Sequence, residues 1–241
     1  QFGTTGFLPT LISDDLAVVR QGIEAVDAAI AAGVPGVLGI HIEGPFLNAD
    51  RKGIHDESKF RELDAQGLAT ITALKHGRTL VTLAPERTTP AMIRRLADAG
   101  VIVAAGHTDG SYQEIRVALD NGLTGFTHLF NAMSPLTARE PGAVGAALED
   151  AESWCGLTAD GRHIAPATMR LALRCKPVDR FMLVTDAMPS VGLVEKSFVL
   201  QGQPIRVEDG VCVNEDGTLA GSDLDMATAV RNAVAMLGVD L

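Results

Sequence analysis

Short apolar runs that end on turn-forming residues recur along this chain, and between most of them apolar positions return at helical spacing. Phe7-Leu8-Pro9-Thr10-Leu11-Ile12 reads as a buried strand. Ser13 or Asp14 then caps a helix carrying Leu16, Val19, Ile23, Val26 and Ile30 on one stripe, and Gly33 ends it. Residues 36–43 form a second strand, halted by Gly44-Pro45. A weaker helix is expected over residues 60–74, a strand over 80–84, and a helix over 91–99 with Pro90 at its start and Gly100 after its end. Four further strands are expected over residues 101–106, 123–128, 154–159 and 181–186. Ser111 caps a helix between the first two, and a helix over 166–173 precedes the last. Strands of this apolar kind alternating with helices predict an α/β fold with a parallel sheet: a (β/α)8 TIM-type barrel, incomplete because seven strands are counted. The remaining first strand is expected before Gln1, and the chain is expected to be a piece of a longer protein. From Ser197 to Val213 the period shortens, which predicts an inserted β-hairpin or meander; Asp223 or Asp225 then caps a final helix.

Composition narrows the classes. A chain of 241 residues, 46% hydrophobic and 4% aromatic, fits one barrel domain over 1–241 better than two compact domains. The formal net charge of −10 argues against a general nucleic-acid or anionic-membrane binder, because either needs a basic face. A small anionic substrate needs only a few local cations. Cys155, Cys175 and Cys212 lie far apart, with no spacing for a disulfide framework or a thiolate metal site, so a reducing cytoplasm is the simplest home. No membrane span or signal peptide is read.

The candidate chemistry sits where strands end. His107 and His128, 21 positions apart, each stand where an apolar run gives way to turn residues, so one βα repeat would set two imidazoles side by side. On residues 36–43, His41 and Glu43 share one face and Ile40 and Ile42 the other. Glu43 with His107 and His128 makes a donor set suited to zinc and compatible with iron(II) or another divalent first-row metal; Glu86, also at a strand end, competes with Glu43. Asp186 ends the clearest strand and is the candidate general base and acid for a metal-assisted hydrolysis. The polar loop over 48–59 is long enough to cross a barrel mouth, and its His55 is either a site residue or an ordinary solvated one. Arg139 either grips an anion bidentately or pairs with Glu140.

Together, Gly39-Ile40-His41-Ile42-Glu43-Gly44-Pro45-Phe46-Leu47, Gly106-His107-Thr108, Thr127-His128-Leu129-Phe130-Asn131-Ala132-Met133, Arg139-Glu140-Pro141-Gly142, Asp160-Gly161-Arg162-His163 and Leu183-Val184-Thr185-Asp186-Ala187-Met188 resemble the N-acetylglucosamine-6-phosphate deacetylases of the amidohydrolase superfamily. The motifs fall in family order along nearly the whole chain. The resemblance implies Glu43, His107 and His128 as metal ligands, Asp186 as general base and then acid, and His55 as the group that polarises the acetyl carbonyl. It implies His163 on the sugar, and Asn131, Ala132 and Arg139 on the 6-phosphate, with Arg139 supplied across a homodimer. Leu219, Ala220 and Gly221, in the turn Leu219-Ala220-Gly221-Ser222, would close the sugar pocket. The implied reaction releases acetate and glucosamine 6-phosphate in amino-sugar recycling. A first barrel strand and a small β-sandwich, which the family carries, are not seen in this sequence. Rival readings are a metal-dependent amidohydrolase for N-acyl amino acids or unphosphorylated sugars, and a non-catalytic barrel that binds sugar phosphates.

Overall fold

The computed structural model describes residues 2–240. Seven strands lie in one sheet in sequence order: β1 (Thr10–Ile12), β2 (Gly39–Glu43), β3 (Arg78–Leu83), β4 (Ile102–Ala105), β5 (Leu123–Phe126), β6 (Trp154–Thr158) and β7 (Phe181–Val184). Every neighbouring pair is parallel. Parallel neighbours need long crossovers, which helices supply. These are α1 (Leu16–Ala31), α2 (Ala65–Ile71), α3 (Pro90–Asp98), α4 (Tyr112–Asp120), α5 (Gly142–Glu149) and α6 (Pro166–Cys175). Among the described residues β1 and β7 are the two edges, so the sheet of seven strands stays open within them, in line with the incomplete barrel expected from the strand count.

The helix starts follow local chemistry. Thr89 caps α3 ahead of Pro90, and Ser111 with Glu114 forms a reciprocal capping box on α4. Two expectations are corrected, and one helix was not foreseen. The residue before α1 is Asp15, whose side chain makes no capping bond, and Ser13 directs its hydroxyl elsewhere. The helix expected over 60–74 is only α2, because Asp64 caps it by accepting from the Gly67 N–H. Helix α5 gave no signal: residues 142–148 are buried all round, so no polar stripe marks it.

The sheet curls strongly. Strands β2 and β5 are three places apart, about 14 Å in a flat sheet at the usual spacing. Yet Glu43 Oε1 lies 3.0 Å from His128 Nε2 across that interval. Outside the curl, Ile40, Ile42, Val81, Val103 and Leu157 share one core with Val19 and Ile23 of α1, Ile93 and Leu96 of α3, and Ile115 of α4. Each such side chain contributes about 1.5–3 kcal/mol by leaving water.

The hairpin expected over 197–213 is larger. Strands β8 (Ser197–Leu200), β9 (Gln203–Glu208), β10 (Val211–Val213) and β11 (Leu219–Ser222) form a separate antiparallel sheet. Leu219–Ser222, expected as a turn, is therefore an edge strand. Its own core is only Ile205, Cys212 and Ala220, with Ile54, Met188, Phe198, Leu200 and Val207 partly buried against it. Asp225 then caps α7 (Met226–Asn232), which continues through one wider turn to Leu237. Among the described residues no helix is long and apolar enough to cross a membrane.

Candidate metal centre and active site

The curl brings three expected residues together at the carboxyl ends of the strands. Glu43 Oε1 is 3.0 Å from His128 Nε2 and 3.2 Å from His107 Nε2, and the two Nε2 atoms are 3.2 Å apart. All three residues are buried. Zinc bonds of about 2.0–2.1 Å set neighbouring tetrahedral donors about 3.3 Å apart, so this triangle has the size of one face of such a site. His107 Nδ1 lies 2.7 Å from the Arg51 carbonyl oxygen, which can only accept. The ring therefore carries its proton on Nδ1 and turns the Nε2 lone pair toward Glu43 and His128.

Charge in the triangle points the same way. Burial raises the Glu43 carboxyl, but the adjoining His107 and His128 side chains outweigh it and hold the group well below the ordinary range. Burial pulls His128 down, yet the Glu43 carboxylate wins and lifts it to about 9. The observed donor set and spacing fit a divalent metal.

Ligand-type atoms of Glu43, His55 and His107 also fall within 4.8 Å of one another. His55 is 4% exposed, which removes the solvated-loop alternative. Its ring stands 4.5 Å from that of His107, and burial followed by His107's charge lowers it to about 3, so it is neutral. Its Nδ1 meets the Ser13 backbone N–H at 3.3 Å and the Ser13 Oγ at 2.8 Å. The 48–59 loop lies against the site as its length suggested: Asn48 N–H donates to the His107 carbonyl, and Arg51 pairs with Asp109.

Asp186 follows β7 at φ +51° and is only partly buried by its neighbours, yet desolvation pushes its carboxyl up. Ser222 of β11 holds this turn: its N–H donates to the Asp186 carbonyl at 2.8 Å and its Oγ to the Thr185 carbonyl at 2.5 Å. Of the seven non-glycine residues with positive φ among the described residues, five, namely His107, His128, Phe130, Ala132 and Asp186, lie on strand-end turns. Such backbone is sparsely populated and persists where the surroundings over-determine it, as functional sites do.

The remaining expected residues are placed as follows. His163 is held by Asp160, whose Oδ2 lies 2.5 Å from His163 Nδ1 while its Oδ1 accepts from the 162 and 163 N–H groups. Asn131 Nδ2 reaches the His128 and Leu129 carbonyls at 3.3 Å each, and Ala132 adjoins it at φ +49°. Arg139 is exposed and makes no ion pair among the described residues; Glu140 instead accepts from the Tyr112 and Gly142 N–H groups. Ala220 turns its side chain into the small core, whereas Gly221, at φ +86°, leaves room beside the Asp186 carbonyl that a Cβ would fill at 2.9 Å.

One expectation at the site is corrected. Glu86 is not free to compete with Glu43, because it accepts from Thr108 Oγ1, the Asp109 N–H and Asn48 Nδ2. His41 shares Glu43's face but lies deeper, with Nδ1 3.0 Å from Thr10 Oγ1 and Nε2 2.8 Å from Thr82 Oγ1. Ser13 and Gln201 were missed as residues around the site: Ser13 carries the local pattern of a helix cap, and Gln201 comes near only through the tertiary fold. Asp160 holds His163 through a local contact three residues away within its motif.

A curled parallel βα sheet with two imidazoles and a carboxylate converging at its strand ends defines a barrel-type scaffold with a candidate cation site. No protein-family model matches the chain. Its relatives are amino-sugar-phosphate deacetylases. It is 42% identical over 242 residues to the N-acetylgalactosamine-6-phosphate deacetylase of Shewanella sp. (strain ANA-3), covering 100% of this chain and 61% of that protein. The crystal structure of N-acetylglucosamine-6-phosphate deacetylase from Pasteurella multocida superposes with TM-score 0.94 at 33% identity, covering 99% of this chain and 63% of that one. A mutant of the Mycobacterium smegmatis N-acetyl-D-glucosamine-6-phosphate deacetylase, solved in complex with N-acetyl-D-glucosamine-6-phosphate, gives TM-score 0.90 at 34% identity, covering 99% and 63%. The family resemblance read from the motifs thus extends over the whole chain, and the chain spans a little over three fifths of the length of these relatives.

Proposed function

We propose that the intact protein hydrolyses the N-acetyl amide of N-acetylglucosamine 6-phosphate. Water adds across the C–N bond, so the acyl carbon leaves as acetate and the nitrogen as the amine of glucosamine 6-phosphate. The observation that carries this reading is the 3.0–3.2 Å triangle of Glu43, His107 and His128 in a chain similar throughout to amino-sugar-phosphate deacetylases. In this reading those three residues hold a divalent metal, zinc by donor set, with iron(II) as the alternative. Such an ion supplies Lewis acidity and brings the pKa of water toward neutrality.

The chain's own residues do the rest. Asp186 takes the proton of the attacking water and hands one to the departing nitrogen; burial raises its carboxyl, which suits a group that must both accept and return a proton. His55, neutral in its pocket, donates a hydrogen bond to the acyl oxygen. His163, oriented by Asp160, contacts the sugar, and the backbone of Leu219, Ala220 and Gly221 borders its pocket. Asn131, Ala132 and Arg139 hold the 6-phosphate, with Arg139 reaching the partner's site in a homodimer. Three free cysteines fit a reducing cytoplasm, where the reaction would serve amino-sugar catabolism.

The Shewanella relative favours a second substrate, the galacto epimer N-acetylgalactosamine 6-phosphate. The test is acetate release by the zinc-loaded intact protein from both epimers, from their unphosphorylated sugars and from N-acetyl amino acids, beside Asp186→Asn. Turnover of a phosphorylated epimer that collapses in the variant with metal retained is expected. No acetate from a folded, metal-loaded wild type rejects the reading.

A further inference from the structure

His55 is held by contacts that dictate where its proton sits. A backbone N–H can only donate, and the Ser13 N–H points at His55 Nδ1 from 3.3 Å. The Ser13 hydroxyl meets the same nitrogen at 2.8 Å. Nδ1 is therefore the acceptor of a neutral ring, and the ring proton is on Nε2. Ser13 itself is 0% exposed. Its hydroxyl occupies the space beside Gly44, where a Cβ would stand 2.2 Å from Oγ and where φ is +88°; the residue after Glu43 thus lacks a side chain for a reason.

Ser13 is tied in turn to the second sheet. Gln201 Nε2 donates to the Ser13 carbonyl at 2.7 Å, and Gln201 Oε1 accepts from the N–H of Asp56, the residue after His55, at 3.0 Å. Gln201 and Gly202 form the two-residue turn between β8 and β9, with φ of +47° and +79°. Glycine or asparagine suits the first of these positions better. Here a glutamine takes the strained backbone, and its amide bridges the two chain segments that clasp His55.

We propose that Ser13 and Gln201 are positioning residues that lock His55 in the Nε2–H tautomer, so that it faces the site as a hydrogen-bond donor and not as a metal ligand. The donor's target, the acyl oxygen, rests on the function proposed above; the tautomer does not. A protonated Nε2 has no lone pair for a cation, so proximity of His55 to Glu43 and His107 does not enlarge the ligand set.

The experiment uses the intact zinc-loaded protein with ¹⁵N-labelled histidine, and reads the ring nitrogens by long-range ¹H–¹⁵N correlation alongside kinetics and metal content. A pyridine-type Nδ1 and pyrrole-type Nε2 are expected for His55. Ser13→Ala should lower kcat by about tenfold to a hundredfold with KM little changed and metal retained, as misplacement of a reacting group does. Ser13→Thr, which keeps the hydroxyl, should restore it. Gln201→Ala should lower kcat in the same direction by less, and Gln201→Glu, which loses the donor to Ser13, should resemble it. A wild-type His55 protonated on Nδ1, or wild-type kcat in folded Ser13→Ala, overturns the proposal. Failure of the wild type to release acetate from either phosphorylated epimer would reject the proposed reaction, and the nitrogen spectrum would then decide the tautomer alone.

Discussion

The seven-stranded parallel sheet and the four-stranded antiparallel sheet meet at one site and serve it differently. The parallel sheet is buried on both faces along β2, and its large core fixes the strand ends that carry Glu43, His107 and His128. The antiparallel sheet has three fully buried core residues and an exposed outer face, yet Ser222 and Gln201 reach from it to the Asp186 turn and to the surroundings of His55. Under the proposed function, cation holding would rest on the well-packed layer, and proton handling and carbonyl polarisation would lean on the lightly packed one. A ligand triangle tolerates little displacement, because each donor must sit at bond length from one ion. Groups that deliver protons act across hydrogen bonds and can ride on a module with fewer contacts.

The sharpest break of this division is His128→Ala, expected to remove bound metal and bring acetate release to background, as measured by metal analysis beside turnover. Asp186→Asn comes next: metal stays, and kcat falls by about 10²- to 10⁴-fold. Retention of metal with lost turnover is what separates the two layers. Ile205→Ala, which hollows the small core, should leave metal content unchanged while kcat drops by about tenfold or more through a displaced Asp186 turn. Loss of metal in that variant would show that the layers are not separable. Leu157→Ala, in the large core, should cost about 2–5 kcal/mol in chemical denaturation while each folded molecule keeps near-normal turnover.

The smallest effect concerns pH. Asp186 must be ionised to accept a proton, and burial raises its pKa above the usual 3.8, so activity should rise with pH only above the ordinary carboxylate range. Ser222→Ala loosens the turn by removing the hydrogen bond to the Thr185 carbonyl. Water then reaches the carboxylate more easily, and the acid limb of kcat/KM should move down by less than about one pH unit. An upward move would mean that Ser222 does not keep the carboxylate desolvated.

Most of the parallel sheet was legible in the linear pattern. Apolar runs ending on Gly44-Pro45, Gly106-His107 or Asp186-Ala187 mark strand ends, and period-2 alternation puts His41 and Glu43 on one face whatever the rest of the chain does. Helix α5 was invisible because burial on all sides erases the polar stripe. Strand β11 was read as a turn because Leu219-Ala220-Gly221-Ser222 is short and broken by glycine, and only pairing with β10 makes it a strand.

Local chemistry in the sequence determined which residue types stand at strand ends, where helices α3 and α4 begin, and that two histidines and several carboxylates were available for a site. The tertiary structure decided which of them meet. Glu43 and His128 are 85 residues apart and touch only because the sheet curls, whereas Glu86, with the same carboxyl group, is taken by Thr108 and Asn48. Ser13 and Gln201 are 188 residues apart and join around His55 for the same reason. Periodicity is set by neighbouring residues along the chain, but a contact across the sheet depends on how every intervening strand pair twists and packs, and no local pattern records that sum.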